Sequence, residues 1–131
     1  ASLIATSCSI ADFDGDGDPD IFITTNFENA LYQNQKVSNS FDFLKVRVKG
    51  KGAGFTNRFG IGCKVKVYEK ESATPFWFKE IRSGSEPPEL LFGLENGKTY
   101  TVEVTFPGPD KITVTEDVTI PTVQPLLIEE Q

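Results

Sequence analysis

From Phe43 onward apolar and charged residues alternate with a period of two, and this pattern restricts the fold more than any other feature of the chain. Leu44, Val46 and Val48 fall on one side of an extended backbone, and Lys45, Arg47 and Lys49 on the other. Successive side chains of a β-strand point to opposite faces, so such a run describes a strand with one buried and one wet face. The pattern returns at Cys63, Val65 and Val67 against Lys64 and Lys66. It returns again at Tyr100, Val102, Val104 and Phe106 against Thr101, Glu103 and Thr105. Ile112, Val114, Val118 and Ile120 continue it, and a last short strand is expected over 126–128. Gly and Pro recur between the runs, and no helical period persists. The reading is all-β, with residues 41–131 forming an antiparallel β-sandwich of about seven strands.

Residues 1–35 read as a separate unit. Strands are expected over 3–11, 21–25 and 29–34, and the polar stretch 35–40 reads as a linker. A β-hairpin therefore carries the loop Asp12-Phe13-Asp14-Gly15-Asp16-Gly17-Asp18-Pro19-Asp20. Counted from Asp12, carboxylates fall at positions 1, 3, 5, 7 and 9. Alternate spacing lets a tight loop turn successive oxygens toward one centre, and Gly17 permits the sharp bend. Calcium takes about six to eight oxygens at roughly 2.3–2.6 Å, whereas magnesium prefers few protein ligands in strict octahedral geometry. The expected ligands are the side chains of Asp12, Asp14, Asp16 and Asp20 and the main-chain carbonyl of Asp18. An EF-hand is excluded, because its bidentate Glu position is Ile23, inside a strand-like run. Crowded carboxylates repel strongly without a counter-ion, so the metal is expected to be structural, cross-linking the loop.

The net charge of −6 is local. Five of the eight Asp lie in this loop, and without them 14 acidic residues face 13 Lys and Arg. No basic excess exists to neutralise phosphates, which argues against a nucleic-acid partner. No apolar stretch reaches membrane-spanning length, so this chain is not expected to insert in a bilayer. The two cysteines, Cys8 and Cys63, are compatible with a bridge or with two buried thiols. His is absent, which removes the commonest general base, and nothing in the spacing of Glu80, Glu86, Glu89 and Glu103 selects a catalytic pair. The expectation is a chain with no catalytic activity. Opening on Ala1-Ser2-Leu3 and lacking Met throughout, it reads as a piece of a longer protein.

Two surfaces stand out. Lys45, Arg47, Lys49, Lys64 and Lys66 would share one solvent-facing side if their strands pair, either as an ordinary solvated face or as a seat for a sulfated glycan. Pro75-Phe76-Trp77-Phe78 breaks the alternation. It reads as a strand buried on both faces or covered by the Asp-loop segment, with a sugar-stacking or docking platform as the rival.

The run "ADFDGDGDPDIFITTN…NALYQNQ" resembles an FG-GAP/VCBS repeat, the calcium-binding blade unit of β-propellers in integrin α-chains and many bacterial surface proteins. "NRFGIGCKVKVYE", "IRSG", "LLFGLENG" and "VEVTFPGPDKITVTEDVTI" resemble, in order, the ASPIC/UnbV domain that follows such repeats in the cartilage acidic protein family. The resemblance implies a propeller-blade fragment followed by a β-sandwich. It implies a calcium-stabilised, non-catalytic binding or adhesion module of a larger secreted or cell-surface protein, periplasmic or on the outer surface if bacterial. A protein or glycan partner at the cell surface or in the extracellular matrix is expected. The alternative is a carbohydrate-binding module of a larger glycan-processing enzyme.

Overall fold

The computed structural model describes residues 4–16, 18–35, 40–83 and 89–131. Among them the chain forms ten strands and no helix: β1 Ala5–Ala11, β2 Asp20–Thr25, β3 Ala30–Tyr32, β4 Phe41–Lys49, β5 Lys64–Glu69, β6 Trp77–Glu80, β7 Glu89–Glu95, β8 Thr99–Thr105, β9 Thr113–Thr119 and β10 Leu126–Glu129. They build three sheets in the orders β1-β2-β3, β10-β4-β7 and β6-β5-β8-β9. The linker expected over 35–40 and the bend expected at Gly17 lie largely or wholly outside the described residues.

The alternation sorts the second and third sheets. Leu44, Val46, Val48, Leu90, Phe92, Leu94 and Ile128 turn inward from one, and Val65, Val67, Tyr100, Val102 and Val104 from the other; all are buried in one hydrophobic cluster. Each such side chain contributes about 1.5–3 kcal/mol on burial. The buried Tyr100 keeps its hydroxyl satisfied, accepting the Glu95 backbone N–H at 3.1 Å and so tying β8 to the end of β7. Gly50 follows β4 where a Cβ would stand 2.2 Å from the Asn57 carbonyl oxygen, so only glycine permits that approach.

Four expectations change. The pairing is not wholly antiparallel: β10 runs parallel to β4, with Leu126 opposite Val46 and Ile128 opposite Val48. The chain leaves β9 in one sheet and joins the other, and this crossover sets the direction of β10. The five-residue basic face does not form, because β4 and β5 belong to different sheets. The aromatic segment is not buried: Phe76, Trp77 and Phe78 are 57%, 41% and 54% exposed, since β6 is a short strand at a sheet edge. Finally, Cys8 is exposed on β1, Cys63 is buried, and both are free thiols.

β6 nevertheless has a structural task. The Trp77 indole N–H donates to the Gly93 carbonyl at 3.1 Å, and the Lys79 ammonium donates to the Leu91 carbonyl at 2.5 Å. Alternate side chains of β6 thus cap the outer carbonyls of β7, which is the edge strand of its own sheet.

Candidate metal centre

The loop between β1 and β2 is closed by the pairing of Ala11 with Asp20. Its polar side chains fold back onto its own backbone. Asp12 Oδ1 accepts the Gly15 N–H at 2.7 Å, Asp14 Oδ1 the Asp16 N–H at 3.1 Å, and Asp16 Oδ1 the Asp18 N–H at 3.1 Å. Such short-range bonds are what Asp offers a turning backbone. Gly15 takes φ +79°, a left-handed conformation that other residues adopt at a cost. Asp20, at the first position of β2, accepts the Phe13 N–H on Oδ2 at 2.9 Å and the Asn34 N–H on Oδ1 at 2.8 Å. It thereby pins the loop to the segment after β3.

Asp12, Asp14 and Asp20 each bring a carboxylate oxygen within 4.8 Å of the others. Ligands on opposite sides of an ion at about 2.4 Å lie about 4.8 Å apart, so this spacing suits one calcium. Asp16 is exposed and stands outside the trio, its Oδ1 engaged by the Asp18 N–H. The structure therefore brings together three of the four expected side-chain ligands.

Asp18, expected to offer its main-chain carbonyl, is notable for its side chain. Its side chain is 2% exposed, and neither carboxylate oxygen has a hydrogen-bond partner among the described residues. Burial pushes its carboxyl above the ordinary Asp value, reinforced by the negative charges of Asp16, Asp20 and Asp14. Among the described residues of 4–35, the buried ones are Asp18 and Asp20, both acidic. A buried carboxylate without a partner is costly unless a cation stands near it. The donor set, all hard oxygen, fits calcium; Asp12, Asp14 and Asp20 are the residues that would hold it, with the Asp18 carboxylate buried nearby in the same loop.

Two further residues reach the loop from far along the chain. Gln33 donates its side-chain amide to Asp14 Oδ2, and the Lys45 ammonium forms an ion pair with Asp12 Oδ2. They are 19 and 33 residues from their partners, and no local spacing points to either. Beside the loop, a groove of about 480 Å³ runs between Ile10 and Asp12 on one side and Arg47, Arg58, Phe59 and Leu127 on the other.

No curated protein and no solved structure matches the chain. A family model, that of the FG-GAP repeat, matches residues 5–39, so that β1, the Asp loop, β2 and β3 are similar to such a repeat and fit a blade of a β-propeller.

Proposed function

We propose that this chain is a calcium-stabilised, non-catalytic binding module from a protein of the extracellular or cell-surface kind in which FG-GAP repeats are typical. The observation that carries the reading is the acidic cluster of the first unit: Asp12, Asp14 and Asp20 converge, and Asp18, in the same loop, is buried without a partner among the described residues. An ion there would join β1, β2 and the segment after β3 through Asp12, Asp14 and Asp20, and it would neutralise Asp18. Its contribution is charge and cross-linking, not an activated water.

The second and third sheets, read as a β-sandwich of the ASPIC/UnbV kind on the motifs quoted above, would supply the binding surface for a protein or glycan. Catalysis is disfavoured by the chemistry on hand. His is absent, and burial, with Glu130 nearby, pushes the Cys63 thiol up to about 12, far from a usable nucleophile. No helix of the described residues is long and apolar enough to cross a membrane.

The test is thermal unfolding in calcium and in chelator. At a calcium concentration 100 times the dissociation constant, linkage adds about 2.7 kcal/mol. Asp14→Ala or Asp20→Ala should remove most of that gain, and identical melting curves in calcium and chelator would refute the site. The exposure of Trp77 keeps a second reading in play, a carbohydrate-binding module stacking sugars on β6. Glycan retention that is lost in Trp77→Ala would favour it.

A further inference from the structure

Lys45 lies on β4, the middle strand of its sheet, yet its ammonium is spent on the Asp loop of the other part of the chain. The two outward-facing cations that follow it behave differently. Arg47 pairs with Glu89 of β7, and Lys49 with Glu129 of β10, each on the strand next to its own. Lys45 instead meets Asp12 Oδ2, and the pair is shielded, the two side chains being 22% and 4% exposed. Asp12 Oδ1 is held by the Gly15 N–H, so it is Oδ2 that the loop turns toward a cation from outside its own backbone. Asp12 also belongs to the converging trio, and Asp18, without a partner among the described residues, adds a further negative charge. The loop therefore meets a cation of the protein's own at one of the carboxylates that a metal would use.

We propose that Lys45 is the resident counter-cation of the Asp loop, and that a divalent ion binds by displacing its ammonium from Asp12. The inference rests on the calcium reading above and deepens it. An ammonium and a divalent ion on neighbouring carboxylate oxygens repel each other in a shielded site, where that repulsion is weakly screened. The ion carries the larger charge and draws on several carboxylates at once, so the ammonium is the one that leaves. Coupling between two such events is reciprocal. The Lys45–Asp12 pair weakens metal binding by the same factor by which the metal weakens the pair. Since the pair bridges β4 and the Asp loop, metal occupancy also loosens the hold of residues 4–35 on the second part of the chain. Lys45 thus sets both the affinity of the site and the attachment of the unit that carries it.

Calcium titration calorimetry on the full chain tests this with Lys45→Met, which keeps the apolar stem and removes the ammonium, and with Lys45→Gln, which keeps a polar tip. Both should bind calcium more tightly than the parent, by about tenfold for a coupling of ordinary size. A second readout is thermal: both variants should melt below the parent in chelator and together with it in saturating calcium. Amide dispersion in NMR spectra verifies that each variant is folded. Calcium bound by the parent with equal or greater affinity than by both variants would overturn displacement while leaving the calcium reading intact. No heat of binding and no calcium-dependent melting in any of the three proteins would overturn both.

Discussion

Asp18 concentrates the energetic tension of the loop into one residue. Its carboxylate is buried, partnerless among the described residues and surrounded by like charges. Asp18→Asn, which keeps the shape but removes the charge and its repulsion from neighbouring carboxylates, should therefore raise stability in chelator and should lower the gain from calcium. Paired thermal melts with and without the ion check both signs. Glu130 shows the opposite arrangement. Burial by itself would raise its carboxyl, but the Lys51 N–H, the Thr56 hydroxyl and the Thr56 N–H outweigh burial and hold it below the ordinary Glu value. A group whose value falls on folding stabilises the protein above its unfolded value and loses that contribution as pH drops through the folded one. The melting-temperature difference between the parent and Glu130→Gln should thus be full at neutral pH and shrink below the ordinary Glu range. Residues of these two kinds differ in how well a sequence displays them. The alternate spacing of the five Asp announces an acidic cluster, and Asp12, Asp14 and Asp20 do converge. Which of them faces inward depends on packing around the loop, so Asp16 is exposed while Asp18 is buried. Lys45 and Gln33 arrive through tertiary contact and leave no mark in the local pattern.

Among the elements, those with one face in the core and one in water are legible in advance. β4, β5 and β8 are of this kind, and their period-two runs give the inward residues correctly. β7 has the same unbroken alternation, with Leu90, Phe92 and Leu94 inward and Gly93 on the outward side opposite Phe43, where an added Cβ would stand 3.4 Å from the ring. β6 defeats the pattern altogether, because an edge strand exposes its aromatics while turning Trp77 and Lys79 toward the carbonyls of β7. The partner and direction of β10 are not encoded in its own residues. They follow from a crossover between sheets, and pairing energy alone favours antiparallel neighbours only slightly. The contribution of β10 is nonetheless concentrated at Ile128, which is fully buried opposite Val48. Ile128→Ala should cost about 2–5 kcal/mol, as other large-to-small core changes do, and urea unfolding should show it as a shifted midpoint with an unchanged slope. Leu127→Ala, one residue earlier and half exposed, should leave the midpoint nearly unmoved.

At the scale of the whole molecule, the two parts of the chain are stabilised by different physics. Every residue of the hydrophobic cluster lies between 44 and 128. The sheet β1-β2-β3 contributes none: Ile10, Ile21, Leu31 and Tyr32 are exposed, and Phe22 and Ile23 are only half-buried. A three-stranded sheet without an apolar interior is marginal in water. On the calcium reading, its order then depends on an ion held by the Asp loop. Residues 40–131 should accordingly fold alone, giving a dispersed amide spectrum and a melting temperature within a few degrees of the full chain in chelator. Residues 1–35 alone should be disordered in chelator, and calcium should bind them weakly, because the ion must then supply the ordering free energy itself. A collapsed spectrum for 40–131 would show that β1-β2-β3 completes the same core. That outcome would require apolar contact between the two parts well beyond the Lys45–Asp12 pair, and the exposure of Ile10, Ile21 and Tyr32 argues against it.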